Sequence, residues 1–287
     1  MFRIIFENEL GALSMGGGSH PSMNVTDISG FSNPKKELKT AVFGSGPGSV
    51  TTSARDTART LTVAGTFRGL PLEVRKIYDI LSCEGILSVY FHRLKRQIKC
   101  RCVDGDEFTR ISKDGFYRFA LQFLADSPYF SDCEETYIPI FSRINKVKTT
   151  FTLPCVFTER ICRVTVHNSG DIAVFPAIFV RGASSAENLA ALQSEEHGVL
   201  ITNQTSGGKI HLKHTVRCGE TVTIDVKNRK IRSDIAGNIT NKISDDTVLS
   251  SFFLGLGDNV ISVDNYDTDT ELSAQLTFKN EYRTAVY

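Results

Sequence analysis

Residues 116–132, FYRFALQFLADSPYFSD, constrain this chain more than any other stretch. Tyr117, Phe119, Leu121 and Phe123 alternate with Phe116, Arg118, Ala120, Gln122 and Leu124. A period of two puts the first set on one face of a strand and the second set on the other. The run stops at Asp126-Ser127-Pro128-Tyr129-Phe130. Pro128 cannot donate to a sheet ladder and pushes Ser127 toward an extended conformation. The spacing predicts that one sheet ends here. Pro128, Tyr129 and Phe130 are then the candidate junction between two domains, 1–130 and 131–287.

A length of 287 residues fits one or two domains. The formal net charge of +1 speaks against bulk nucleic acid as a partner, and no sequence-specific nucleic-acid binding is expected. No apolar run approaches the roughly 20 residues of a membrane span, so no membrane partner is expected. Glu7 and Glu9 interrupt the N-terminal apolar patch, which argues against a secretory signal. The sequons at Asn24, Asn203 and Asn238 then read as polar turns beside strands. The 7 cysteines are odd in number and irregularly spaced, as in a protein made in a reducing cytosol. Cys100 and Cys102 share one strand face and read as buried small side chains rather than metal ligands.

Strand signals dominate the first half, at 2–6, 24–30, 59–67, 86–91, 96–103 and 116–124. Asp104-Gly105 and Asp114-Gly115 are tight-turn pairs between them. One helix is predicted, with Pro71 in its first turn and Gly85 as its C-terminal cap. Its core stripe is Leu70, Val74, Ile77 and Leu81. The glycine-rich segments 7–23 and 40–55 read as arms or long hairpin loops. In the second half, strands are expected at 136–141, 150–157, 160–167, 173–180, 198–203, 208–216, 220–227, 248–254, 259–264 and 271–279. A helical turn or a loop is expected at 186–196. Short strands about ten residues apart indicate a sandwich of antiparallel sheets.

The chain carries no G-x-S-x-G, H-E-x-x-H or Walker sequence. Gly44-x-Gly46-Pro47-Gly48 is broken as a phosphate cradle by Pro47. His211 and His214, three apart, fall on opposite faces of a strand. Residues 264–269 lack the glycine and glutamate of a calcium loop. Acidic neighbours leave Cys133 a poor nucleophile. The residues therefore predict no enzyme, no cofactor and no metal, but a protein that works by contact.

Three stretches, taken in order, resemble the siphovirus tail component family, the distal tail proteins of long-tailed bacteriophages. The first is residues 123–130, a strand running into a proline-aromatic junction. The second is Asn168-Ser169-Gly170-Asp171 followed by 175–182, a strand ending in Gly182. The third is 251–261, a strand-turn-strand with Gly257 and Asn259. Gly219-Glu220, a strand, and the turn at Asn228-Arg229 fit between them. The sequence departs from the family's usual Cys-Pro-Asp type junction, having Ala-Asp-Ser before Pro128.

The resemblance implies a mainly β protein. Its N-terminal domain would be split-barrel-like with one helix, and its C-terminal domain a galectin-like β-sandwich. It implies a structural virion protein at the tail tip, made in the host bacterial cytoplasm. There it would form a homohexameric ring through 1–130 and connect the tail tube protein to hub, tip or fibre proteins. A carbohydrate-binding tail module is the alternative, and the chain has no Trp to build an aromatic platform.

Overall fold

A computed structural model of the chain describes residues 2–17, 22–42, 44, 48–104, 108–112, 114–145, 158–182, 197–266 and 272–286. The chain divides into two compact units. One is Met1–Cys133 with Glu281–Tyr287, and the other is Glu134–Asn280. Residues 281–287, read from the sequence as the end of the second domain, thus pack with the first.

The first unit comprises β1 (Phe2–Asn8), β2 (Gly11–Gly16), β3 (Met23–Ser29), β4 (Lys36–Ala41), β5 (Val50–Asp56), β6 (Arg59–Arg68), α1 (Pro71–Leu81), β7 (Gly85–Phe91), β8 (Leu94–Asp104), β9 (Thr109–Ser112), β10 (Phe116–Ala125) and β11 (Phe130–Asp132). Its main sheet runs β2-β1-β7-β8-β10-β6-β3. β2 and β3 are both edges, so the sheet is not a closed barrel. In β10 the alternation holds: Tyr117, Phe119, Leu121 and Phe123 are buried while Phe116, Arg118 and Ala120 are exposed. The Phe6 and Phe123 rings meet at 5.1 Å inside.

Several expectations are corrected here. Segment 7–23 is no arm over its described residues, because β2 pairs along β1 and buries Leu13 and Met15 in the core. α1 buries Val74, Ile77 and Leu81, but Leu70 is 68% exposed and sits at the N-cap, where its N–H donates to the Glu73 carboxylate. Gly85 does not cap the helix. α1 ends at Ser82 in right-handed conformation, and Gly85 already opens β7 opposite Cys100. The sheet does not end at Pro128 either. β11 rejoins it by pairing with β8 at Ser131↔Gln97. The Asp104-Gly105 turn lies partly outside the described residues.

The second unit contains β12 (Thr136–Asn145), β13 (Thr158–Ile161), β14 (Arg163–Asn168), β15 (Ala177–Gly182), β16 (Val199–Asn203), β17 (Lys209–Leu212), β18 (Thr221–Asp225), β19 (Lys230–Ser233), β20 (Gly237–Asn238), β21 (Gly257–Asn265) and β22 (Leu272–Phe278). They form two antiparallel sheets, β13-β12-β22-β15-β18-β19-β20 and β14-β21-β16-β17. Ile178, Val222, Ile224, Leu276, Ile201, Ile210, Ile261 and Val263 come from both sheets and fill one core. Pro139 cannot donate to β22, and the β12–β22 register shifts there.

The expected strand 160–167 divides at Cys162, so β13 and β14 lie in different sheets. The expected strand 248–254 is a short 3-10 turn, Leu249–Ser251, and a single bridge at Leu254. The expectations at 150–157 and 186–196 fall wholly outside the described residues. After β22 the chain re-enters the first unit as β23 (Glu281–Tyr282), which pairs with β11 at Phe130↔Tyr282. The mainly β reading therefore holds.

Candidate functional site

The segment expected as a long hairpin loop is a two-stranded sheet of its own. β4 and β5 pair from Lys36↔Asp56 to Ala41↔Val50, with a register shift beside Lys39. At that shift the Thr52 hydroxyl donates to the Lys39 carbonyl at 3.0 Å. An exposed Arg55–Glu37 pair at 2.7 Å crosses the ladder. Leu38, Val42 and Val50 are 55%, 69% and 53% exposed. A lone hairpin buries too little to hold itself, and water is a poor solvent for three such side chains.

The root of this arm is built from Tyr129 and Phe130, which the sequence reads as a domain junction and which lie inside the first unit. Tyr129 donates its hydroxyl to Asp56 at 2.6 Å, the last residue of β5. Burial, the bond to Asp56 and that negative charge push the Tyr129 phenol up to about 12. Phe130 is fully buried, stacked on Phe31 at 6.2 Å, with the Arg59 guanidinium 4.7 Å from its ring centroid. Pro128 lies half-buried in the bend between β10 and β11.

Arg59 is 3% exposed, and its Nη1 donates to the carbonyls of Gly30 at 3.0 Å and Ser32 at 2.8 Å. Those carbonyls belong to the segment leading into the arm. Its Nη2 donates to the Arg283 carbonyl at 2.6 Å. Burial lowers its pKa to about 10 against the opposing pull of Asp56 and Tyr129, which leaves it charged at neutral pH. Gly30 is required at this place: its φ is +84°, and a Cβ would stand 2.0 Å from the Thr60 carbonyl oxygen.

The returning tail is held by the same kind of contact. Arg96, 8% exposed, stacks over the Tyr282 ring at 3.9 Å and donates to the Thr284 carbonyl. Ala285 is fully buried, and its N–H donates to the Phe31 carbonyl at 2.9 Å. Charged side chains thus grip tail carbonyls, which favours an extended backbone more than a particular sequence. The sequence reading singled out Tyr129 and Phe130 only as a domain junction and gave no place to Arg59 or the tail. An isolated arginine gives no periodic signal.

In the second unit the predicted turn residues divide into two groups. Asn168 is buried and donates to the Ile172 and Leu254 carbonyls at 2.9 and 3.2 Å. Its own oxygen accepts from the Gly170 N–H at 2.9 Å, while Asp171 is exposed. Asn259 is fully buried, accepts from the Gly255 N–H at 2.8 Å and donates to the Gly255 and Gly257 carbonyls. Gly257 supplies the turn with a φ of +78°. Asn203 joins them, donating to the Phe253 carbonyl at 2.8 Å. These three asparagines pin loop 252–257, which leaves Leu256 61% and Phe175 42% exposed.

Gly182 belongs elsewhere. It exchanges bonds with Glu220 and Gly219, and a Cβ would stand 2.1 Å from the Arg217 carbonyl oxygen. Glu220 is 1% exposed on its side chain. It accepts from the Arg217 N–H at 2.9 Å and from the Ser233 hydroxyl, and His214 Nε2 lies 2.8 Å away. His214 and His211 do not converge, since His211 Nε2 contacts the His197 carbonyl instead. Burial pushes the Cys100 thiol up to about 12, so it is a core side chain rather than a nucleophile.

The model of the siphovirus-type tail component, C-terminal domain, matches residues 188–282. The crystal structure of the Dit protein of phage SPP1 aligns with a TM-score of 0.61 at 13% identity, covering 97% of this chain and 99% of that one. That protein is described as a paradigm of the hub adsorption apparatus in phages infecting Gram-positive hosts. A chain of the phage P2 baseplate, in its activated conformation with Ca, aligns at 0.48 and 10% identity, over 96% of this chain and 98% of that one. No curated protein matches the chain in sequence. The resemblance read from the sequence is borne out by the family match and the shared fold.

Proposed function

We propose that this chain, whose second unit carries the siphovirus-type tail component match, is a structural protein of the distal tail, closing into a homohexameric ring. In this reading the first unit makes the ring and meets the tail tube protein, while the second unit serves hub, tip or fibre proteins. The chain is made in the host bacterial cytoplasm and ends in the virion tail tip. Its work is contact rather than catalysis. The family match favours this over a lectin-like module, for which a galectin-like shape would be scaffold only.

The β4–β5 arm is the observation that carries the ring reading. It offers Leu38, Val42 and Val50 to a surface that its own unit does not supply. One arm reaching the next copy is a heterologous contact, and repeated contacts of that kind close into a ring when the rotation allows. Electron microscopy and light scattering test it, on the full chain alone and co-expressed with the adjoining tail proteins. Rings are expected in at least one of these settings. A strictly monomeric particle at high concentration in both would overturn the reading.

A further inference from the structure

We infer that Arg59 is a positioning residue that couples the β4–β5 arm to the C-terminal tail. Its one planar fork holds the Gly30 and Ser32 carbonyls before the arm and the Arg283 carbonyl in the tail. A guanidinium is rigid, so these bonds are satisfied together in one orientation. When the tail leaves, a buried Nη2 loses its acceptor, and the group gains by turning toward water. That movement withdraws the donor from Gly30 and Ser32.

Phe31 makes a second, independent link. Its ring packs on Phe130 and its carbonyl accepts the Ala285 N–H, so tail and arm share one peptide segment. The outgoing strand of the arm is tied to the same cluster by Tyr129 and Asp56. The tail continues directly from β22 of the second unit. A force or a partner acting on that crossing therefore biases the arm, and capture of the arm favours a docked tail. The coupling lies within one chain; only its use in assembly rests on the ring reading.

Amide hydrogen exchange on the full chain, diluted until monomeric, tests it with Arg59→Lys and Ala285→Glu. Ala285 has no exposed surface and lies outside β4 and β5, so a carboxylate there displaces the tail while leaving the arm's own residues unchanged. The tail segment 282–286 is one readout. The Thr57 amide, bonded to the Lys35 carbonyl at the arm root, is the other. Both variants should speed exchange at both places by about tenfold, the factor one charge-assisted hydrogen bond is worth. Strand β7 should exchange as in the wild type. If Ala285→Glu releases the tail while Thr57 keeps its protection, the coupling is refuted. Loosening of β7 in both variants would also refute it, by making Arg59 a residue of general stability. Ring formation by the unaltered chain is scored separately, so the two ideas can fail independently.

Discussion

Glu220→Gln is the sharpest test of how the second unit is held. The wild-type carboxylate presents only acceptors, and three donor groups converge on it from Arg217, Ser233 and His214. An amide of the same shape has one oxygen. If that oxygen keeps Ser233 and His214, the new NH2 faces the Arg217 N–H; if it keeps Arg217, the NH2 faces the other two. In the first arrangement a buried donor meets a donor; in the second the Ser233 hydroxyl or the His214 ring must turn acceptor, and in both the charge-assisted bonds are lost. A hydrogen bond to a charged group is worth about 1.5–3 kcal/mol, and an orphaned buried group costs about 1–3 kcal/mol. The expected loss is therefore about 3 kcal/mol, which lowers the melting point of a unit this size by roughly 6–12 °C.

The pH dependence has a definite sign. Burial by itself would raise the Glu220 pKa. The bonds from the Arg217 N–H, Ser233 and His214, together with the charge of His214, outweigh it and hold the group below the ordinary carboxylate range. A folded pKa below the unfolded one stabilises above the unfolded value, about 4.3, and this contribution is lost as pH falls through the folded value. The gap between wild type and Glu220→Gln should thus be full at pH 7 and shrink below about pH 4. Calorimetry of the full chain, following the transition of the second unit, reads both quantities. A variant melting within about 1 °C of wild type at pH 7, or a gap that persists in acid, would refute the reasoning.

Phe130→Ala should cost the first unit about 3–5 kcal/mol, because the ring is fully buried against Phe31 and Arg59; urea unfolding would measure it. Gly182→Ala should cost about 1–3 kcal/mol in the second unit, as a methyl cannot share space with the Arg217 carbonyl, and the thermal midpoint checks this. Leu38→Asp with Val42→Asp should leave the melting curve within about 0.5 kcal/mol of wild type, since both side chains are exposed, yet abolish rings in electron micrographs.

Much of the β architecture was legible because burial imposes a period. Tyr117, Phe119, Leu121 and Phe123 announced both their strand and its inner face. Val74, Ile77 and Leu81 did the same for the helix. Leu70 obeyed the same spacing yet faces solvent, since it stands at the N-cap, where the chain has left the helical path. Met15 and Leu13 were hidden by the glycines around them, although a glycine that permits a turn says nothing against a strand beside it.

Residues 116–132 show where local reasoning stops. The sequence by itself determined a strand, its buried face and a forced break at Pro128, because these depend on alternation and on a missing donor. It also specified the asparagine and glycine turns of the second unit, whose chemistry acts over a few residues. Only the tertiary structure decided that Phe130 is core, that β11 rejoins the sheet, and that residues 281–286 return to grip it. Arg59 lies 224 positions from its tail acceptor. No pattern of neighbouring residues encodes such a contact, because it exists only once β23 has paired with β11 inside the first unit.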